Sequence, residues 1–174
     1  AIHGGGQLHQ NDCHLLVNGT LATNDGVAYL SDEVLAIKVS TAVGGTNRVI
    51  RETEVLGDYN NAGTTTVHRG TLYIYGDLTN TGTMAGEIDT GPASDGDGPS
   101  SGDGFNIGGS YTVGQEASLS MPLAVWWLRV GGDLDVAIDD PARFAMSEAT
   151  ISLTGLSGSM QSLELMSPDI GAVE

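Results

Sequence analysis

The chain has 174 residues, with 26 glycines, 5 prolines and one cysteine. Its 22 acidic residues stand against 6 basic ones, a net charge of −16, so it lacks the basic footprint that nucleic acid or an anionic membrane requires of a partner. The length supports one domain with a real core, the single Cys13 excludes a disulfide framework, and glycine without a Gly-X-Y period excludes collagen.

Apolar residues make up 40% of the chain but aromatic ones only 5%, so the expected core is aliphatic. No apolar run approaches the roughly 18 residues of a membrane-spanning helix. The chain opens at Ala1 with no signal-peptide pattern and is expected to be a processed or excised segment.

In chain order, a loose glycine-rich entry leads into Leu15-Leu16-Val17-Asn18-Gly19-Thr20-Leu21. This phrase alternates apolar and polar residues, then reaches glycine, a small polar residue and another apolar one. Ile37-Lys38-Val39-Ser40 alternates like a strand. The phrase recurs weakly at 53–59 and strongly in Leu72-Tyr73-Ile74-Tyr75-Gly76-Asp77-Leu78. It returns at 105–111, in Leu128-Arg129-Val130-Gly131-Gly132-Asp133-Leu134, and in degenerate form at 151–155 or 156–160.

Aligned on Gly19, Gly57, Gly76, Gly109, Gly132 and then Gly155 or Gly158, the copies recur at roughly 20–25 residues, which points to a solenoid. The period-2 alternation excludes helical repeats, and no leucine-rich pattern occurs. Three short strands joined by turns fill such a coil, so the predicted fold is all-β: a right-handed parallel β-helix of six to eight coils. At about 4.8 Å per rung it would be a rod on the order of 30–40 Å long. Glycine is expected to turn the corner by adopting positive φ or a bulge. The polar residue after it (Thr20, Asp58, Asp77, Ser110, Asp133) is expected to face out and bond a turn amide.

Residues 87–104 interrupt the pattern with Gly, Asp, Ser and Pro, and Ile88 is their only large apolar residue. They are expected to be a loop thrown out from a single solenoid domain spanning 1–174. Residues 140–148 are the nearest approach to an amphipathic helix.

The copies at 72–78, continued by Thr79-Asn80-Thr81-Gly82-Thr83, and at 128–134 resemble coils of secreted bacterial right-handed parallel β-helix proteins, including adhesin and autotransporter-passenger-like repeats. The ending Pro168-Asp169-Ile170-Gly171-Ala172-Val173-Glu174 is similar to a short Asp-Ile-Gly-Ala-aromatic-Glu signature of such proteins, with Val173 in place of the aromatic. The resemblance implies an extracellular or cell-surface location and a structural or adhesive role. The same fold also hosts polysaccharide-cleaving enzymes, so fold does not set function.

Three groups of residues are candidate sites. By strand parity Trp126, Leu128 and Val130 point inward, while Tyr73, Tyr75, Trp127 and Arg129 point outward. Tyr73 and Arg129 fall in one column, a platform of the kind that stacks on the apolar faces of sugars. The competing expectation is that the 87–104 insertion packs over these side chains. Asp95, Asp97 and Asp103 in the acidic loop suit Ca²⁺, which takes oxygen ligands, although the EF-hand spacing is absent. His3, His9, Cys13 and His14 carry side chains that suit a transition metal, at spacings that match no standard motif.

Asp139-Asp140 is read as a turn, and no nucleophile elbow, phosphate loop or dinucleotide fingerprint occurs. The leading expectation is therefore a non-catalytic structural or adhesive segment of an exported surface protein. The alternatives are a carbohydrate-binding or carbohydrate-cleaving module and a Ca²⁺-stabilised filament or surface-layer subunit that self-associates through its end rungs.

Overall fold

The computed structural model describes residues 1–10, 14–30, 34–87, 102–121, 123, 125–146, 149–155 and 163–165. These form a β-solenoid of about six turns, built from parallel strands. The first face stacks Gln7–His9, Val27–Leu30, Thr46–Val49, Thr64–Val67, Thr83–Gly86, Ser118–Ser120 and Phe144–Ala145. The second and third faces belong to one 12-stranded sheet. Early in the chain, Leu15–Thr23 and Val34–Thr41 run through both of these faces without a break. Later coils split them: Thr53–Val55, Thr71–Ile74, Gly104–Ile107, Trp127–Val130 and Thr150–Leu153 continue the second face. Tyr59–Asn61, Leu78–Asn80, Tyr111–Val113, Leu134–Val136 and Leu163–Leu165 continue the third.

Alternation along each strand builds the core, because successive side chains point to opposite sides. On the second face the register stacks Val34, Thr53, Leu72, Phe105, Leu128 and Ile151 in one inward column. Each of them is 1% exposed or less. Burying one such apolar side chain contributes about 1.5–3 kcal/mol, which each new coil adds to the last.

Among the described residues the core is largely Leu, Val, Ile, Ala and Met, as expected, with a few aromatic side chains set into it. Its largest fully buried side chains are Trp126, Tyr59, Tyr111 and Phe105. A Cβ on Gly86 would come within 2.7 Å of the Trp126 ring, so the missing side chain there is what admits the indole.

Polar groups also run through the core. The Tyr59 hydroxyl lies 2.8 Å from Thr41 Oγ1, accepts from Asn47 Nδ2 at 2.8 Å and lies 2.5 Å from Thr65 Oγ1. Thr23 donates to Asn47 Oδ1 at 2.7 Å, and Thr65 donates to Asn61 Oδ1 at 3.1 Å. Asn61 Nδ2 donates to Asn80 Oδ1 at 2.8 Å in the next coil. Buried groups satisfied in this way fix the register of coil on coil, because a slip would strand every member.

The corner glycines work differently from the expectation. Gly57, Gly76, Gly109 and Gly132 do stack: the amides of Gly76, Gly109 and Gly132 each donate to the carbonyl of the glycine one coil before (3.2, 3.0 and 2.9 Å), and the Gly57 amide donates to Ile37 O at 2.9 Å. None of the four is among the positive-φ glycines. Glycine is needed there for close approach: a Cβ on Gly76 would lie 2.5 Å from Asp58 Oδ1 and 2.6 Å from the Gly57 carbonyl carbon. Gly19, by contrast, sits at the irregularity in pairing expected of it, where the strand passes from the second face to the third. It sits inside the continuous strand Leu15–Thr23, where pairing with Val34–Thr41 slips between Val17 and Thr20.

The polar residue after each corner glycine bonds across coils. Asp58 Oδ1 accepts from the Asp77 amide at 3.2 Å, Asp77 Oδ1 from Ser110 at 2.8 Å, and Ser110 Oγ from Asp133 at 3.2 Å. In the helical candidate at 140–148 the described residues, 140–146, form one 3-10 turn, Pro141–Arg143, capped by Asp140 and followed by the strand Phe144–Ala145; 147 and 148 lie outside the described residues. Among the described residues no helix is long and apolar enough to cross a membrane.

The body of the interruption, residues 88–101, lies outside the described residues. Its ends fall at the corner between the first face, which ends at Gly86, and the second, which resumes at Gly104.

Candidate functional site

The second face brings the outward residues together as strand parity predicts. Its register places Glu54, Tyr73, Asn106, Arg129 and Ser152 in one outward column. Two rungs separate Tyr73 from Arg129, about 10 Å. Trp127 stands in register with Gly104 and Thr150. Tyr75 occupies the next outward position and is 56% exposed, whereas Tyr73, Trp127 and Arg129 are half-buried.

Beyond Tyr75 the chain is bare. Its two neighbours up the rod are Gly108 and Gly131, joined by the bonds Gly108 N to Ile74 O and Gly131 N to Ile107 O, both 2.7 Å. A Cβ on Gly131 would collide with the Gly108 carbonyl oxygen. The exposed phenol of Tyr75 therefore stands beside a flat strip of backbone, with Asn106 and Arg129 one column away.

Arg129 is held in place. Its guanidinium carbon is 4.6 Å from the Trp127 ring centroid, within cation–π range. Its Nη1 donates to the Gly102 carbonyl at 3.2 Å. The Gly102 amide donates to Val125 O at 3.0 Å and the Trp127 amide to Asp103 O at 2.8 Å. The C-terminal root of the insertion is thus tied to the Trp127 strand. This meets half of the competing expectation: the root covers part of Trp127 and Arg129 but leaves Tyr75 open.

Asn106 was not singled out from sequence. It lies in the column between Tyr73 and Arg129, and the glycine alignment contained the signal, since Asn106 precedes Gly109 as Tyr73 precedes Gly76.

The metal candidates are placed differently. Asp95, Asp97 and Cys13 lie outside the described residues. Asp103 is engaged at the insertion root through its carbonyl. The three histidines of this candidate, His3, His9 and His14, are spread over the first coil. His3 contacts Asn24 Nδ2 at 3.0 Å, and His9 pairs with Gln7 Oε1 at 3.0 Å. The His9 ring also stacks on Tyr29 at 4.3 Å. His14 stands at the start of the second face. Among the described residues no three His, Cys, Asp or Glu side chains come together as metal ligands would.

The His9–Tyr29 stack continues to Arg48, whose guanidinium carbon is 5.8 Å from the Tyr29 centroid. These three are consecutive rungs of one outward column on the first face. The column welds the first coils together from outside.

No protein-family model, curated protein or solved structure matches the chain.

Proposed function

We propose that the chain is a structural or adhesive segment of an exported bacterial surface protein, a stiff rod that presents its second face to a partner and performs no chemistry of its own. The observation that supports this reading best is the division along each strand. Inward residues form one unbroken core, while Tyr73, Tyr75, Asn106, Trp127 and Arg129 collect on one outward face.

A carbohydrate-binding role is a second reading, favoured by the same column. Tyr75 offers an open ring, and Asn106 and Arg129 offer donors about one to two rungs away, within the reach of one or two sugar rings. The net charge of −16 repels polyanions, so neutral glycans fit better than acidic ones.

The test is a glycan array probed with the whole chain, followed by calorimetry on the best hit. Neutral-glycan binding that falls at least about ten-fold in Tyr75→Ala supports the carbohydrate reading. No glycan binding, with chain-coated beads still adhering to cells, supports adhesion through other contacts. Cleavage products from any glycan would overturn the absence of chemistry.

A further inference from the structure

The second face carries a different surface at its N-terminal end. Among the described residues the exposed large apolar side chains are Leu16, Ile37, Val43, Leu56 and Tyr75, and all but Val43 stand on this face. Leu16, Leu35 and Glu54 share one outward column, while Ile37 and Leu56 lie in the column beside it, below Tyr75. A cavity of about 370 Å³ opens here, with Leu15, Leu16, Val34 and Leu35 as the aliphatic part of its lining. Glu52, Glu54 and His14 complete its lining.

Glu54 is half-buried, and neither Glu52 nor Glu54 forms an ion pair with a described residue. A carboxylate on an apolar surface loses solvation, and a cation bridging it from outside restores that loss. Lys and Arg match this arrangement, because an aliphatic stem lies on apolar surface while the charged head reaches a carboxylate.

We propose that this cavity binds a basic side chain, stem and head together, from an extended segment of a partner polypeptide. Charge complementarity selects that occupant. The chain's net charge of −16 concentrates cationic partners at the surface. It also disfavours a second copy, because two chains of that charge repel each other. The proposal does not rest on the carbohydrate reading.

The experiment is fluorescence anisotropy with the whole chain and labelled hexapeptides that alternate Val or Leu with Arg, against the same peptides carrying Glu. The Arg peptides should bind and the Glu peptides should not. Affinity should fall at least about ten-fold in E52Q/E54Q, and again as salt rises from low to physiological strength. Leu16→Ser should weaken binding while E52Q/E54Q keeps the wild-type circular dichroism and melting temperature. Equal binding of the Glu peptides, or unchanged affinity in E52Q/E54Q, would overturn the proposal. So would hexylamine competing at the same concentration as the peptide, which would make this a site for small amines. A concentration-dependent dimer abolished by Leu16→Ser would assign the surface to a second copy instead.

Discussion

Arg129 lies over Trp127, its guanidinium carbon 4.6 Å from the ring centroid, while the same guanidinium donates to the carbonyl of Gly102. One side chain thus joins the outward platform to the root of the insertion. Removing it by Arg129→Ala should cost about 1–2 kcal/mol, because the pair is half-exposed. Tryptophan emission should shift to the red as Trp127 gains water. Arg129→Lys should recover only part of both effects, because an ammonium lacks the planar fork that stacks and donates at once. Denaturant unfolding and fluorescence spectra check this together.

The corner glycines should separate steric need from turn preference. Gly76→Ala places a Cβ 2.5 Å from Asp58 Oδ1 and 2.6 Å from the Gly57 carbonyl carbon, so neighbouring coils must part. A loss of about 1–3 kcal/mol is expected. Gly114 makes a matched control: the atoms nearest a Cβ there are Thr81 Cγ2 at 3.4 Å, Asn80 O at 3.5 Å and Thr81 Cα at 3.8 Å, ordinary contact distances. Gly114→Ala should change stability by less than about 0.5 kcal/mol in the same urea titration.

Asn80 joins three coils. It accepts from Asn61 Nδ2 at 2.8 Å and from the Gly82 amide at 3.1 Å, and it donates to Ser118 O at 3.2 Å. Asn80→Ala leaves those partners short of a bond inside the core, with an expected cost of about 1–3 kcal/mol. Hydrogen exchange should show the loss of protection centred on Gly82 and its neighbours in the adjoining coils.

Two buried tyrosines should differ in kind. Tyr59→Phe removes the hydroxyl that Thr41, Asn47 and Thr65 share, and should destabilise by about 1–3 kcal/mol. The Tyr111 hydroxyl sits by Asn80 without reaching hydrogen-bond geometry, so Tyr111→Phe should be close to neutral at pH 7. Thermal melts of the two variants compare them directly.

Alkaline pH should expose the same two residues. Burial raises both phenols above their ordinary value, a rise that hydrogen bonds to Thr41, Thr65 and Asn47 moderate at Tyr59 and the Asn80 side chain moderates at Tyr111. In the unfolded chain a tyrosine ionises near pH 10. Above that pH the folded state therefore holds more protons than the unfolded one, and stability should fall as pH rises. Below about pH 10 the contribution is fully present. Tyr111→Phe should flatten the decline, measured as urea midpoints from pH 8 to 11.

The solenoid was legible because its signal is local. Alternation in Leu72-Tyr73-Ile74-Tyr75 and Leu128-Arg129-Val130 states which side chains turn inward, and the recurring glycine sets the coil length. Register follows from the same phrases, so Tyr73 and Arg129 could be placed in one column before any coordinates. Sequence alone therefore determined the all-β repeat architecture and the inward and outward sets of the second face.

Contacts between coils could not be read this way. Thr23 with Asn47 and Asn61 with Asn80 are 24 and 19 residues apart. Each of these residues looks like an ordinary turn or strand polar group until the neighbouring coil supplies its partner. For that reason Tyr59 and its hydrogen-bond partners entered a core expected to be aliphatic, and the corner glycines proved to be spacers for close backbone stacking. It is also why the histidines of the first coil, near in sequence, are held apart by separate partners. Short-range pattern chose the fold. The tertiary structure alone decided which polar groups are buried, how the insertion root meets Arg129, and that Glu54 stands on an apolar surface, since each depends on what the next rung places about 5 Å away.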